Sequence, residues 1–539
     1  MRALGPVLLC LALLELLREC WPAPAPLDDA WISFRYARNL VDGVGLVYNP
    51  GEYVEGITNL LWTLLVAAGL ALGLEPKSVG FGLGVASGAA LLWLSYVYAS
   101  TGLASERRWA AGLAPWIVLS SLPFVFWTTS GMETSLFALA VTAALAAEAR
   151  DRPGLATLAA LLATATRPEG VLVAAAVLGW RVVSRWRSEG VGVLLWPGVY
   201  ALGLLALTGF RVAYYGAFVP NTFHAKVGGV SPLRGLQYAL GFFAGGSALL
   251  LVPAGFALRK HARWAPAGVF ALLLTVYVVA VGGDVFPYAR FFVPLLPALA
   301  AAAVAGALLA WQANPVAGVL CWAAVATVVG VGYLGRFSWE VGPFAIAVLA
   351  LATLAASAAR RRLAPLPAGA LVLAVVLHFA GWMPQLEGSP LEGKIKGHPG
   401  RETRAASLDF NHRIQANTEA LARQRARVLR ERGGAQLVAT GGIGAFGYFS
   451  GVPILDLYGL VDPRIARSTV VEPHLSPPGH TRSDADYVLS REPDYLLIPR
   501  PGGKRMIVAP AVRDLWQHPE FERHYEWDEE IAGFRRRAG

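Results

Sequence analysis

Two adjacent carboxylates, Asp28 and Asp29, directly follow the first apolar segment of the sequence. A carboxylate acts as a general base toward a hydroxyl group when a partly desolvated setting raises its pKa toward neutrality. Two neighbouring carboxylates favour such a rise, because like charges resist joint ionisation. The same pair also suits the start of an amphipathic helix with Trp31, Phe34 and Leu40 on one face, where it would serve as a cap at the membrane boundary. The residues alone leave both interpretations open.

More charged residues lie in the same stretch, residues 27–62, although the chain as a whole is poor in charge. Arg35 and Arg38 suit a phosphate group, because a guanidinium donates two parallel hydrogen bonds to it. The alternative for both arginines is that they reach from the membrane interface into water. Glu55 stands in apolar and aromatic surroundings, where an acidic group is costly unless it caps, pairs or binds a ligand. This stretch is therefore the candidate centre of the site.

The elements that must position this stretch are membrane helices. Of the 539 residues, 55% are hydrophobic and only 15% are charged, and the mean hydropathy of +0.49 exceeds that of soluble domains. Up to residue 383 the chain repeats apolar stretches of about 15 to 21 residues, long enough to cross a hydrocarbon core of about 30 Å. Residues 384–539 are charged and polar. The sequence predicts a membrane domain, 1–383, followed by a small separate domain, 384–539.

The basic residues indicate orientation. The net charge is +10, but much of the lysine and arginine lies in short loops between apolar segments, so we do not expect nucleic-acid binding. Counting crossings between these loops gives about 13 membrane helices, an uncleaved first helix and an external C-terminal domain. The count works only if the short apolar segment 60–74 lies on the outer face without spanning. The cytoplasmic loops are then residues 106–108, 150–152, 181–187, 259–263 and 360–362, and the outer loops are 27–59, 128–134, 210–235, 282–290 and 335–342.

The other candidate site residues lie in these outer loops. Lys226, His224 and Arg290 are basic side chains that the topology places on the outer side, and Asp284 either pairs with Arg290 or faces the site with it. Glu133 is a candidate substrate contact or a plain acid at the start of the next helix. Between two half-length apolar segments, Arg167, Pro168 and Glu169 predict a buried ion pair that supports a broken helix. The predicted topology therefore brings these loops to the same side of the membrane as Asp28 and Asp29.

The C-terminal domain has an α/β pattern: a helix over 409–432, strands in QLVAT, PILDLYGLV and DYLLIP, and a short helix in IGAFGYFSG. Residues 442–447 match G-x-G-x-x-G, and Asp462 follows twenty residues after Gly442, as in dinucleotide-binding proteins. We do not expect NAD binding, because the domain is predicted to be external and the helix ends at about Gly451. A backbone turn at the foot of a domain that guides an acceptor glycan fits better. The three cysteines, Cys10, Cys20 and Cys321, form no disulfide framework or zinc site.

Residues 28–65 resemble the first external loop of the GT-C class of membrane glycosyltransferases, most closely that of the terminal β-arabinofuranosyltransferases of the mycobacterial cell wall. The resemblance continues at residues 130–134, 167–170, 214–216, 219–226, 283–292 and 441–462. It implies an α-helical polytopic fold in a bacterial inner membrane, a sugar donor linked to polyprenyl phosphate and an external glycan, lipid or protein acceptor. It also implies that Asp28 or Asp29 is the base of an inverting transfer and points to arabinofuranose as the sugar. The candidates for stabilising the departing phosphate are then Arg35, Arg38, His224, Lys226 and Arg290.

Two alternatives remain. A divalent cation held by Asp28, Asp29 or Glu55 with the donor phosphate stays open, although no cysteine and histidine cluster has metal-ligand spacing. A non-catalytic transporter or flippase of lipid-linked sugars would also need outer acids and aromatic residues. A transporter should place ionisable groups along a path through the membrane, with polar loops on both sides. The clustering of polar loops on one side favours surface chemistry.

Overall fold

The structure is a computed structural model, and it describes residues 3–101, 103–226, 231–244, 247–286, 288–334, 404–472, 479–502 and 508–537. The two last predicted membrane segments, 344–359 and 368–382, lie outside the described residues. So do the outer loop 335–342, the basic loop 360–362 and the predicted domain boundary at 383/384.

The described part of the membrane domain consists of helices, several of which begin with proline, whose missing N–H and fixed φ suit the first turn. The α-helices are α1 (Leu4–Cys20), α2 (Asp28–Val41), α3 (Leu60–Ala71), α4 (Pro76–Ser100), α5 (Leu113–Ser120), α6 (Leu122–Thr129), α7 (Thr134–Glu148), α8 (Pro153–Thr166), α9 (Gly170–Glu189), α10 (Leu195–Tyr215), α11 (Asn221–Lys226), α12 (Pro232–Ala244), α13 (Leu251–Lys260), α14 (Ala265–Ala280), α15 (Leu296–Ala313) and α16 (Pro315–Leu334).

Four helical stretches of the described residues are long and apolar enough to cross a membrane, and six are if each of two sharply bent pairs is one span. The chain is thus a multi-pass membrane protein, while the total of about 13 crossings stays a prediction. Helix α3 has only 12 residues, about 18 Å of helix, as expected for a segment that does not span. The four stretches are Pro76–Ser100, Gly170–Tyr215, Ala262–Ala280 and Arg290–Ala313, and the bent pairs are Ser105–Ser120 with Leu122–Thr129 and Pro232–Ala244 with Ser247–Lys260.

Helix α15 lies at the centre of the bundle because its side chains are small. Almost all of its first twelve residues are buried alanine, leucine, proline, valine or glycine. Gly306 packs directly on helix α13, since a Cβ added there would lie 1.7 Å from the Pro253 carbonyl oxygen. Small residues let membrane helices approach closely, and dispersion contacts between their backbones then stabilise the bundle.

The C-terminal part contains the predicted helix and strands around a mixed five-stranded sheet in the order β2-β1-β5-β7-β6. Strand β1 pairs in parallel with β2 and β5, and β7 pairs antiparallel with β5 and β6. Two further strands, β3 and β4, form a separate antiparallel pair. The elements are α17 (Arg404–Glu431), β1 (Val438–Thr440), α18 (Gly444–Ser450), β2 (Ile454–Asp456), α19 (Pro463–Ala466), β3 (Thr469–Val470), β4 (Arg482–Ser483), α20 (Ala485–Ser490), β5 (Tyr495–Leu497), α21 (Pro510–Gln517), α22 (Phe521–His524), β6 (Tyr525–Asp528) and β7 (Gly533–Arg536).

The C-terminal domain packs against two of the predicted outer loops. The Asn221 side chain donates hydrogen bonds to the backbone oxygens of Gly459 at 2.8 Å and Leu460 at 3.1 Å. Arg482 donates to the backbone oxygen of His224 at 2.8 Å. Loops 27–59 and 210–235 therefore lie on the same face of the membrane domain as the C-terminal domain, as the topology predicts. That this face is external stays a prediction.

Candidate functional site

The two adjacent carboxylates at the start of helix α2 have different surroundings. Asp28 accepts hydrogen bonds from the backbone N–H of Ala445 at 2.9 Å and of Gly444 at 3.3 Å, both at the start of helix α18. Asp29 makes no hydrogen bond through its side chain within the described part of the chain. The helix that carries both is fixed by a hydrogen bond from the Leu27 N–H to the Ser130 oxygen at 3.0 Å. The structure thus distinguishes the two acids: Asp28 is held by hydrogen bonds, and the Asp29 carboxylate is not.

The unengaged carboxylate of Asp29 has a strongly perturbed acidity. Its pKa is raised to about 6, first by burial and then by the negative charge of Asp28. Arg290 and Lys226 act in the opposite direction, and Asp284 adds to the rise. A carboxylate with this pKa is mostly ionised at neutral pH and still takes up a proton readily, which is the requirement for a general base.

Burial also raises the pKa of Asp28, and the two hydrogen bonds from Ala445 and Gly444 oppose part of that rise. Hydrogen bonds donated to a carboxylate favour its ionised form. Because both of its carboxylate oxygens accept hydrogen bonds from Gly444 and Ala445, Asp28 binds the C-terminal domain.

Arg290 and Asp284 form the ion pair that the sequence left as one of two alternatives. Arg290 Nε lies 2.7 Å from Asp284 Oδ2, and both side chains are almost fully buried. The guanidinium also lies 5.2 Å from the ring centre of Trp127 and 5.3 Å from that of Phe286. The Trp127 indole in turn donates a hydrogen bond to the backbone oxygen of Tyr288 at 2.9 Å, which fixes the loop. Arg290 is therefore a rigidly held cation whose charge acts on Asp29.

Helix α11 contributes Lys226 and His224. Lys226 is exposed, and it borders the C-terminal domain, because a Cβ added to Gly479 would lie 3.5 Å from Lys226 Cγ. The pKa of the His224 imidazole is lowered by partial burial, and then by the charges of Arg467 and Arg482. His224 is therefore a weaker base than a free histidine. Desolvation by the surrounding protein and the charge of Arg290 lower the pKa of Lys226 as well, and Lys226 is the group of this helix whose positive charge acts on Asp29.

Arg35 and Arg38 occupy structural positions in place of the phosphate or interface contacts expected from the sequence. Arg35 is 1% exposed, and it donates to the backbone oxygens of Tyr48 and Gly447 at 2.9 and 2.8 Å, to that of Val452 at 2.9 Å and to the Asn49 side chain at 3.3 Å. Arg38 stacks over the Tyr448 ring at 4.4 Å and donates to the Tyr448 backbone oxygen. Both arginines attach the first loop to the C-terminal domain. A buried charge is tolerated here because several acceptors surround it.

Replacing Arg35 with alanine should therefore destabilise the protein. The change removes all four hydrogen bonds of a buried guanidinium together with its packing, and we expect a loss of roughly 3 kcal/mol or more. Arg38→Ala is the matched control, since it removes one backbone contact and one ring contact and should cost only about 1 kcal/mol. Thermal unfolding of the purified protein measures both. An unchanged midpoint for Arg35→Ala, together with a higher KM for a lipid phosphate, would restore the phosphate interpretation.

The acids Glu55 and Glu133 are both engaged by protein groups. Glu55 Oε2 lies 2.5 Å from Nε of Arg211, a partner that sequence reasoning did not identify. Glu133 is 2% exposed and accepts from Arg167 at 2.5 Å and from Asn59 at 2.9 Å. Both carboxylates are thus occupied by protein donors, and a substrate contact for either stays a prediction.

The predicted pair between Arg167 and Glu169 is present. Arg167 Nη2 lies 3.0 Å from Glu169 Oε1, where the chain breaks between helices α8 and α9. A hydroxyl and amide network extends from this pair, and a fully bonded buried network of this kind rigidifies its surroundings. Its members are Arg167, Glu169, Glu133, Asn59, Ser33, Thr63 and Tyr277.

Two of the three acids considered for a divalent cation are engaged by protein groups. Asp28 accepts from two N–H groups, and Glu55 pairs with Arg211. In the part of the chain that the structure describes, no group of three or more histidine, cysteine, aspartate and glutamate residues is arranged to hold a metal ion. A cation held by Asp29 with the donor phosphate stays a prediction.

The G-x-G-x-x-G sequence has a packing role. A Cβ added to Gly444 would lie 1.9 Å from the Asp28 backbone oxygen, and one added to Gly447 would lie 1.9 Å from Tyr48 Oη. Only glycine allows helix α18 this close to the first loop. Asp462, the other half of the apparent fingerprint, caps helix α19 by accepting from the N–H groups of Arg464 and Ile465 at 2.9 Å.

Comparison with known proteins supports the resemblance. A family model described as a domain of unknown function (DUF8728) matches residues 410–537. A terminal beta-(1->2)-arabinofuranosyltransferase of Mycobacterium tuberculosis is 29% identical over 223 residues, which cover 37% of this chain and 34% of that protein. The enzyme of the same name from Corynebacterium glutamicum is 28% identical over 333 residues, covering 50% and 46%. The chain thus spans between a third and a half of the length of these curated relatives.

Two crystal structures of ArnT from Cupriavidus metallidurans also align with the chain. The structure bound to undecaprenyl phosphate has a TM-score of 0.49 and 14% identity, and it covers 84% of this chain and 85% of ArnT. The apo structure has a TM-score of 0.48 and 15% identity, with 84% of each chain covered. By its sequence relatives and its loop motifs, the chain resembles GT-C membrane glycosyltransferases and is similar to terminal β-(1→2)-arabinofuranosyltransferases.

Proposed function

We propose that this protein is a membrane glycosyltransferase that moves a sugar from a polyprenyl-phosphate carrier to a hydroxyl group of a cell-envelope acceptor. The observation that carries the proposal is the state of the Asp29 carboxylate. Its pKa is raised to about 6, and the charges of Arg290 and Lys226 act on it. It makes no hydrogen bond within the described residues. Asp29 accepts the proton of the acceptor hydroxyl, and the positive charges of Arg290 and Lys226 stabilise the leaving phosphate. The similarity to arabinofuranosyltransferases supports arabinofuranose as the sugar.

The transfer is a single displacement with inversion. The acceptor hydroxyl gives its proton to Asp29 as its oxygen forms a bond to the anomeric carbon of the sugar. The bond from that carbon to the phosphate oxygen breaks on the opposite face, and the phosphate leaves with the electron pair. Phosphate is a good leaving group, so that electrostatic stabilisation replaces a general acid.

Arg290 and Lys226 supply this stabilisation. The donor is a phosphodiester with one negative charge, and a second charge develops on the phosphate as the sugar departs. Cations fixed before the reaction stabilise that growing charge without reorganisation, and the Asp284 ion pair keeps Arg290 in place. In a bacterial plasma membrane, the site and the C-terminal domain would face the extracytoplasmic side.

The direct test is transfer by the purified protein in nanodiscs. The donor is a polyprenyl-phosphate arabinofuranose labelled in the sugar, and the acceptor is a cell-envelope oligosaccharide. We expect a labelled oligosaccharide to form at the rate at which the lipid donor is consumed. A protein that uses no polyprenyl-phosphate pentose or hexose, yet moves the labelled lipid across a liposome bilayer, would be a transporter and would contradict the proposal.

The rate should depend on pH through Asp29. Its pKa of about 6 lies above the usual value near 4 for an aspartate, so the active carboxylate is lost as the pH falls through 6. We expect kcat/KM to be level above about pH 7 and to decline below about pH 6, tenfold for each further pH unit. Initial rates between pH 4.5 and 8 at constant ionic strength measure this decline. A profile that stays level down to pH 4.5 would exclude Asp29 as the titrating base.

A further inference from the structure

The hydrogen bonds of Asp28 join the site to a distant part of the chain. Its two carboxylate oxygens accept from Gly444 and Ala445, which lie 416 and 417 residues further along. The Arg35 guanidinium makes a second connection about two turns further along helix α2, through Gly447 and Val452. Helix α18 is thus held against the same turn of helix α2 that carries Asp29.

We propose that helix α18 is part of the catalytic site and that Asp28 is a positioning residue, held by the Gly444 and Ala445 N–H groups so that the adjacent Asp29 is fixed in place for proton transfer. This inference rests on the proposed transferase function. It assigns different roles to two acids that the sequence presents as equivalent. It also gives the backbone N–H groups of Gly444 and Ala445 a role in catalysis, because they hold Asp28.

The close approach of the two helices makes the contact sensitive to a single methyl group. A Cβ at position 444 would lie 1.9 Å from the Asp28 backbone oxygen and 2.8 Å from Asp28 Cγ, and backbone atoms cannot yield as a flexible side chain does. A Cβ at position 442 would meet only Asp28 Oδ2, at 3.9 Å, which is an ordinary contact. The two glycines therefore form a matched pair of test sites two residues apart.

The charge of Asp28 supplies a second readout. The charged groups that act on Asp29 are Asp28 on its own helix, Arg290 and Asp284 from the loop before helix α15, and Lys226 from helix α11. Removing the Asp28 charge leaves the two cations and Asp284 unchanged. The pKa of Asp29 should then fall, because the like charge that raises it is gone.

The experiment compares Gly444→Ala, Gly442→Ala and Asp28→Asn in the full-length protein. We expect Gly444→Ala to lose about 100-fold in kcat, the scale of a misplacement of about 1 Å, while Gly442→Ala keeps the parent rate. Asp28→Asn should lose about tenfold, and the acid decline of its kcat/KM profile should move to lower pH. The shift reports the lost charge, whereas kcat on the level part of the profile reports the positioning. A purely structural contact would lower stability and leave that kcat at the parent value.

The outcomes separate this inference from the proposed function. If Asp29→Asn abolishes transfer while Gly444→Ala is as active as the parent, the function stands and the positioning role is wrong. If Gly444→Ala does not fold, kcat of Asp28→Asn above pH 7 decides: a kcat equal to that of the parent overturns the inference, and a tenfold loss in a folded variant supports it. If Asp29→Asn is fully active, the proposed function itself fails.

Discussion

Asp29→Asn is expected to lower kcat/KM for sugar transfer by about 10²- to 10⁴-fold, the range that a general base contributes. Asparagine keeps the size and polarity of the side chain but cannot accept the acceptor's proton. The substitution should not weaken binding of the lipid donor, since it removes a negative charge near the cations that receive the phosphate. Steady-state transfer rates together with donor binding measure the two effects separately.

The same substitution should raise thermal stability at neutral pH. The pKa of Asp29 is higher in the folded protein than in an unfolded chain, so the folded state binds the proton more tightly. Stability is therefore lost as the pH rises through about 6, and asparagine avoids that loss. An inactive variant whose melting temperature exceeds that of the parent at pH 7, but not at pH 4, is the expected combination. Full activity in Asp29→Asn would contradict the assignment of the base.

Arg290→Gln is expected to lower kcat by about 100-fold or more, because it removes a fixed cation that acts on the departing phosphate. The effect on kcat should exceed that on KM, since the negative charge of the phosphate grows during the reaction. The substitution also leaves the nearly buried Asp284 without its partner, which is 2.7 Å away in the parent. A loss of activity could therefore come from destabilisation alone.

The double variant Arg290→Gln with Asp284→Asn resolves this. It removes both charges of the pair and should recover much of the lost stability, because no unpaired carboxylate remains. We expect transfer to stay low in the double variant, as measured by rates and melting temperatures of the three variants side by side. Recovery of activity along with stability would show that Arg290 acts only through the ion pair.

Much of the site could be predicted from residue types and their spacing. One rule accounts for these predictions: a charged side chain close to a membrane is costly unless it pairs with another group or has a function. It predicts the importance of the loop with Asp28 and Asp29, the pairing of Asp284 with Arg290 and the Arg167–Glu169 pair at a helix break. The strands and helices of the C-terminal domain follow from periodicity, since their short apolar runs are bounded by glycine and proline.

The rest depends on contacts between residues far apart in sequence. Arg35 was a candidate phosphate ligand because its type suits phosphate, but its acceptors are mostly backbone oxygens, which no side-chain pattern marks. Glu133 pairs with Arg167 at a helix break, 34 residues away, and Glu55 pairs with Arg211 in helix α10, 156 residues away. The choice between Asp28 and Asp29 likewise needs the C-terminal domain in place. Spacing identifies the groups that can react, and packing decides which of them are already occupied.

The long separation between Asp28 and its hydrogen-bond donors has a consequence for synthesis. Asp28 enters the membrane region with the first helix, and Ala445 follows 417 residues later. At a synthesis rate of about 5 to 20 residues per second, helix α18 is made about 20 to 80 s after the first loop that it binds. Two acceptors of Arg35, the backbone oxygens of Gly447 and Val452, are made equally late. A nascent chain therefore holds an incomplete first loop throughout membrane insertion, and the protein becomes able to act only when its last quarter has been made and has docked.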